Sequence, residues 1–290
     1  MRKKLLILCC AMVFLSACRI ADISQPSELH PQKSAQIAEE KLEKVLEAQG
    51  FQVLKEKQLY QARVTDDWKG LLGKMAKLWP DPNTQFQFRF NFNTFDGNAD
   101  VLSGEKQGDL IGVQSWQYYE KAGGTDRLEK AEAKTHEFGI VVLHYFIELP
   151  YRLYHAPLKR FYGEEEVRGQ KYDRVFVSWG SEAASEEYDQ YILWINQKSH
   201  LVDYCVYTLR DNGNPLTRHK YGSIAFLDYQ DVEGFKVARK MPVLLDDGVI
   251  KADNLEDYFH QFSVESFEFG GFEERELYPL PGLEKKIDSK

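Results

Sequence analysis

From Gln85 to Asn93 the chain alternates with a period of two. Phe86, Phe88, Phe90 and Phe92 fall on one side, and Gln85, Gln87, Arg89, Asn91 and Asn93 on the other. That alternation defines a β-strand with one buried and one wet face. Asp96-Gly97-Asn98 marks a turn, and Val101–Glu105 and Leu110–Tyr119 are expected as returning strands around Gly108-Asp109. A second series of strands is expected after residue 160. It comprises Gly163–Val167, Tyr172–Trp179, Tyr188–Asn196, Leu201–Arg210, Tyr221–Gln230, Phe235–Leu244 and Phe259–Phe269, separated by Gly-, Asn- and Asp-bearing turns. Strands at this spacing indicate an antiparallel sheet or open barrel.

Helical periodicity is confined to a few segments. Ser34 is placed to cap a helix to Gln49, with Ile37, Leu42, Val45 and Leu46 on one face and Gly50 as its stop. Phe51–Val64 reads as strand, and Trp68–Trp79 as a short amphipathic helix or loop halted by Pro80 and Pro82. Leu128–Thr135 has helical composition. Phe138–Leu149 is almost wholly apolar and reads as a helix ending at Pro150, and an element apolar on every side is buried on every side. Tyr151–Arg160 reads as a further helical or loop stretch. The expected class is α+β in one domain over residues 34–290.

The first residues form a different pattern. Arg2, Lys3 and Lys4 precede an uncharged apolar run from Leu5 to Leu15, which is followed by Leu15-Ser16-Ala17-Cys18. A basic segment, a short apolar run and small residues before a cut define a secretory signal over residues 1–17. The run is too short to span a bilayer, which takes about 20 apolar residues. Residues 18–33 contain Pro26 and Pro31 and few large apolar side chains, and read as a tether of roughly 50 Å at about 3.3 Å per residue.

Charge and cysteines narrow the function. Removal of residues 1–17 takes away three basic side chains, so 34 Lys and Arg face 45 Asp and Glu, a net −11. So acidic a chain is a poor candidate for binding nucleic acid, which needs basic faces to displace counterions, and for lying flat on anionic lipid. Of four cysteines, Cys9 and Cys10 leave with the signal and Cys18 lies at the cut, so only Cys205 remains free. No intramolecular disulfide is expected.

Catalytic motifs are absent. There is no phosphate-binding glycine loop and no GxSxG elbow. His136-Glu137 opens like a zinc-protease motif, but Ile140 stands where the second histidine is needed. No metal or other cofactor is expected, and no catalytic residue is assigned. The strands are rich in aromatics, which fill a core or line a cavity under the apolar helix, and both remain open. The candidate cavity residues are Phe88, Phe90, Phe138, Val142, Tyr145, Leu149, Trp179 and Trp194.

Two resemblances follow from these residues. The ending LSAC resembles the lipobox of bacterial lipoproteins, which implies cleavage before Cys18 and a lipid on its sulfur and amine. Arg19 after it, rather than Asp, favours the outer membrane. The order of elements resembles the LolA/LolB-like fold. Tyr172–Trp179 and Tyr191–Val202, with Asn196-Gln197-Lys198-Ser199 at the bend, carry most of the likeness. The same stretch is similar to a family of uncharacterised bacterial lipoproteins. The resemblance implies an open half-barrel with helices as a lid over an apolar cavity. The expected function is a membrane-anchored envelope lipoprotein that binds a lipid or acyl chain, facing the periplasm or the cell surface. A docking protein without a small ligand, or a carboxylate-dependent hydrolase, are the alternatives.

Overall fold

The computed structural model describes residues 20–131, 134–210 and 219–283. The expected signal and Cys18 lie outside the described residues. Helix α1 (Pro31–Gln49) leads through Gly50 into α2 (Phe51–Lys57). Gly50 sits at φ 85°, and a Cβ there would fall 1.9 Å from the Gly234 carbonyl oxygen. Only glycine permits that left-handed joint and that approach. The chain continues through β1 (Leu59–Trp68), α3 (Gly70–Ala76), β2 (Asn83–Asn91), β3 (Gly97–Val101), β4 (Leu110–Gln114), β5 (Gln117–Lys121) and β6 (Glu129–Lys130). Helix α4 (Lys134–Tyr154) follows. Then come β7 (Leu158–Val167), β8 (Gln170–Ser178), β9 (Gln190–Asn196), β10 (Val202–Thr208) and β11 (Tyr221–Ala225). A small hairpin, β12 (Gln230–Val232) and β13 (Phe235–Val237), precedes β14 (Lys240–Leu245), α5 (Gly248–Lys251) and β15 (His260–Phe269).

Thirteen of the described strands form one antiparallel sheet in the order β6-β5-β4-β3-β2-β1-β15-β14-β11-β10-β9-β8-β7. The sheet is curved and does not close into a barrel. Its two edges, β6 and β7, are neighbours in sequence, and α4 is the connection between them. The helix therefore crosses the open side of the half-barrel. The exposed edge of β7 is covered by α1: Ser34 Oγ accepts from Phe161 N at 2.9 Å and donates to Phe161 O at 3.1 Å. Lys41 of the same helix pairs with the buried Asp173 carboxylate at 2.6 Å. Such cover prevents an edge strand from pairing with another chain.

The period-two reading of Gln85–Asn93 matches the sheet as far as Asn91. Phe92 and Asn93 lie in the turn, and Gly97 and Asn98, expected as turn, open β3 because the chain reverses earlier, through Asn93 at φ 59°. Phe86, Phe88 and Phe90 are fully buried, while Gln87 bonds to Gln61 and Arg89 to Asp100 on the other face. The register sets Tyr60 against Phe90, Ala62 against Phe88 and Val64 against Phe86.

Several elements differ from expectation. The first helix begins at Pro31, capped by His30, because Ser34 spends its hydroxyl on Phe161. Phe51–Lys57 is helix rather than strand, since burial of Phe51 and Leu54 outweighs local β preference. Leu110–Tyr119 divides into two strands at Ser115 and Trp116, which take φ 52° and 65° without a glycine to signal the turn. Glu129–Lys130 is an edge strand rather than helix. Phe235–Leu244 is divided between β13 and β14. Residues 20–29, expected as free tether, lie on the convex face. Ile23 is buried there, and its N–H donates to Gln190 Oε1 at 2.9 Å.

Candidate functional site

The concave face of the sheet is a bowl lined by the phenylalanines of β2, Tyr60, and Phe262 and Phe267 of β15. Tyr60 packs on Phe90 at 5.5 Å and on Phe267 at 5.2 Å between ring centroids. Each such side chain contributes about 1.5–3 kcal/mol on burial. Helix α4 lies in the bowl, with Phe146 against Tyr207 and Phe262, and Leu143, Leu149 and Leu153 fully buried.

The helix passes through Pro150 to Tyr154 instead of ending before it. A proline inside a helix costs about 3 kcal/mol or more. Packing beyond it offsets that cost: Leu153 is buried, and Tyr151 lies against Phe51 and Phe92. Nor is the helix apolar on every side. His144, Glu148 and Arg152, four residues apart, form one buried polar stripe. Glu148 Oε1 accepts from Tyr60 Oη at 2.9 Å and lies 2.8 Å from His144 Nε2. Its Oε2 accepts from Asn93 N at 3.2 Å and lies 2.9 Å from an Arg152 nitrogen. Arg152 also donates to Thr94 O, and its guanidinium stacks 4.0 Å from the Phe95 ring.

Burial works to raise the Glu148 carboxyl, but the adjacent imidazole and guanidinium outweigh it and hold the group below the usual carboxylate range. Burial holds the His144 imidazole below its ordinary value, so it is neutral at pH 7 and donates its Nε2 hydrogen to Glu148. The stripe fixes the C-terminal half of α4 to β1 and the β2–β3 turn. Sequence reading missed it, because His144 and Glu148 counted only as breaks in an apolar run. The four-residue spacing from His144 through Glu148 to Arg152 is the signal that would have found it.

The N-terminal half of α4 is held differently. His136 stacks on Trp79 at 5.2 Å and meets Tyr118 Oη at 3.2 Å. Phe138, Val141, Val142 and Tyr145 are only partly buried. The Tyr145 hydroxyl lies beside Tyr191 and Trp179.

The eight candidate cavity residues therefore divide. Phe88, Phe90 and Leu149 are buried in the bowl. Phe138, Val142, Tyr145 and Trp179 line its partly covered side. Trp194 does not join them. Alternation along β9 sends Leu193 and Ile195 into the bowl and Trp194 to the convex face, where it packs with Tyr172, Phe176 and Ile23. Among the described residues, two of the voids measure about 10 Å³ each. One lies under Trp79, Phe86 and His136, and the other beside Phe146, Tyr229 and Met241. That volume is room for about one water. Ile140, Leu143, Phe146, Ile147, Leu149 and Leu153 of α4 occupy the bowl.

Among the described residues, no group of His, Cys, Asp and Glu is arranged to hold a metal ion. No helix among them is long and apolar enough to cross a membrane.

A curved antiparallel half-barrel with a helix laid across its open side is the LolA-like fold. Crystal structures that share it include these three. A LolA superfamily protein from Nitrosomonas europaea is 10% identical, with TM-score 0.50 over 82% of this chain and 96% of that one. A putative outer membrane lipoprotein-sorting protein domain from Vibrio parahaemolyticus is 9% identical, with TM-score 0.51 over 86% and 97%. A DUF1329 family protein from Desulfovibrio piger is 9% identical, with TM-score 0.52 over 84% and 97%. At these identities the likeness defines the fold alone. No protein-family model matches the chain, and no curated protein matches it in sequence.

Proposed function

We propose that the chain is a lipid-anchored lipoprotein of the bacterial envelope, held through Cys18, that takes up an apolar ligand of the acyl-chain class in its half-barrel. The observation that carries this reading is the unequal fastening of α4. The stripe His144–Glu148–Arg152 fixes the helix from His144 onward. Of the apolar side chains before it, only Ile140 and Leu143 are fully buried, and Phe138, Val141 and Val142 are partly exposed, as is Tyr145 beside the stripe. Rotation of the N-terminal half away from the bowl would uncover Phe86 and Phe88, and an acyl chain would then pack against those rings in its place. The fold supports the reading because its concave aromatic face suits an apolar guest. The catalytic alternative lacks a comparable arrangement: the buried Glu148 is consumed by four partners.

The test is titration of the purified protein with an environment-sensitive apolar fluorophore, followed by displacement with a long-chain fatty acid. Saturable binding displaced by the fatty acid is the expected result. Absence of saturable binding by the fluorophore, together with no acyl compound on mass spectrometry of the purified protein, would remove ligand carriage from the reading.

A further inference from the structure

Among the described residues, five of the six exposed large apolar side chains border the same open end of the half-barrel. Leu71, Leu72 and Met75 lie on α3, with Leu71 77% and Met75 78% exposed, and Tyr188 and Leu245 lie at or beyond strand ends. The register places these positions together. Trp68 at the end of β1 pairs with His260 at the start of β15, Leu245 with Gly222, Tyr221 with Thr208, and Gln190 with Ser178. Antiparallel strands thus bring the end of β1, the end of β14 and the start of β9 to one rim.

Helix α3 is built to stand out from that rim. Gly73 lies against the Phe259 carbonyl so closely that a Cβ would fall 2.5 Å from its oxygen. The root of the helix is rigid: Trp68 stacks on His260 at 3.7 Å, and His260 meets the buried Asp66 at 2.7 Å. With its small residue turned inward, α3 sends Leu71 and Met75 into solvent. Residues 68–80 carry Lys69, Lys74 and Lys77 and no acid, in a chain that is otherwise strongly acidic.

The amino-terminal segment reaches the same rim. Ile23 N–H and the Asp22 carboxylate both bond to Gln190, and Arg210 donates to the Ala21 carbonyl. Cys18 lies two residues before Ile20, and two residues span at most about 7 Å. A lipid on Cys18 would therefore hold this rim, and no other, against the bilayer.

Lys69 is held over the Tyr258 ring, and Lys77 bonds to the Pro80 carbonyl. We propose that α3 is a second membrane contact: Leu71, Leu72 and Met75 enter the acyl boundary of a phospholipid surface while the exposed Lys74 meets anionic headgroups. This rests on the anchoring half of the proposed function and not on the ligand. Apolar residues beside lysines are the composition that binds such an interface, and the lysine contribution weakens with salt. Two attachments on one rim would fix the open end of the half-barrel towards the lipid.

The test uses the full lipidated chain in vesicles of phosphatidylethanolamine with a minority of phosphatidylglycerol. A single environment-sensitive label is placed at Met75→Cys, or at Lys198→Cys on the opposite rim; the native Cys205 is buried. With brominated lipid, the Met75 label should lose about half of its emission or more, and the Lys198 label almost none. Leu71→Asp with Leu72→Asp should cut the Met75 quenching several-fold with an unchanged circular dichroism spectrum. Equal quenching at the two sites, or none at Met75, would overturn the proposal. If Cys18 carries no lipid, the same labels are read with vesicles added to the free protein. Met75 quenching would then survive loss of the anchor, and its absence would overturn the α3 contact separately.

Discussion

Glu148 and Arg152 meet at 2.9 Å, one turn apart on α4 and both buried beneath the β2–β3 turn. A buried pair of this kind is costly to break, because the remaining charge has no solvent. Glu148→Ala leaves Arg152 without its carboxylate and Tyr60 without its acceptor. The expected loss is about 3–5 kcal/mol. Urea melts followed by circular dichroism would measure it, and a loss below about 1 kcal/mol would show that the stripe does not hold the helix.

The same stripe gives the fold a pH dependence. His144 is held below its ordinary value, so between that depressed value and about 6.5 the unfolded chain binds a proton that the folded chain refuses. Stability is therefore lost as pH falls below about 6.5. Glu148 acts in the same direction at lower pH: its folded value lies below the unfolded one, and its contribution is lost as pH falls from the ordinary carboxylate range. His136 and His155, also lowered by burial, add to the slope. His144→Phe should flatten the stability profile below about pH 6.5 without abolishing it. An unchanged slope would mean that His144 titrates alike in both states.

Cys205 is fully buried on β10, and burial pushes its thiol up. The native protein should resist a thiol-directed colour reagent and react with one equivalent only in denaturant. Its thermal midpoint should not change with reductant. Rapid labelling of the native protein would place Cys205 outside the core.

How much of this fold is legible in the chain depends on how locally each element is determined. The phenylalanine alternation of β2 needs only neighbours in sequence, and so it reads directly. Gly50 ends α1 as its backbone freedom requires. The turn at Ser115 and Trp116 has no glycine, and the helix through Pro150 defies local preference, because tertiary packing decides both. The site divides in the same way. Periodicity brings Phe138, Val142, Tyr145 and Leu149 to one helix. It cannot tell that Trp194 faces outward, because both faces of β9 are apolar: Ile192 and Trp194 pack outside, and Tyr191, Leu193 and Ile195 inside. The N-terminal segment reads as a tether because Ile23 and Asp22 find their partners in Gln190, far along the chain.

Anchoring is tested most directly at Cys18. Metabolic labelling with a tagged fatty acid should mark the wild-type chain and leave Cys18→Ser unmarked. The variant should also remain unprocessed or leave the membrane fraction, since two or more acyl chains are what make attachment stable. A wild-type chain that takes up no fatty acid would make the leader an ordinary export signal.

Tyr145 separates a lid from a plain core helix. Its ring lies partly exposed on α4 and packs 6.0 Å from Tyr191 and 6.3 Å from Phe95. In the closed form, Tyr145→Ala removes an aromatic side chain and should cost about 3 kcal/mol, at the low end for large aromatics because solvent already reaches the ring. If α4 is a lid, the vacated space also admits an apolar probe more readily, and affinity should rise by about tenfold for each 1.4 kcal/mol by which opening becomes easier. Trp194→Ala is the matched control. It removes an aromatic side chain from the convex face and should lower stability without altering probe affinity. Denaturant melts and probe titrations on the two variants give independent readouts. Equal changes in affinity at Tyr145 and Trp194, or stability losses with no probe binding in any of the three proteins, would leave α4 as a structural helix that fills the half-barrel permanently.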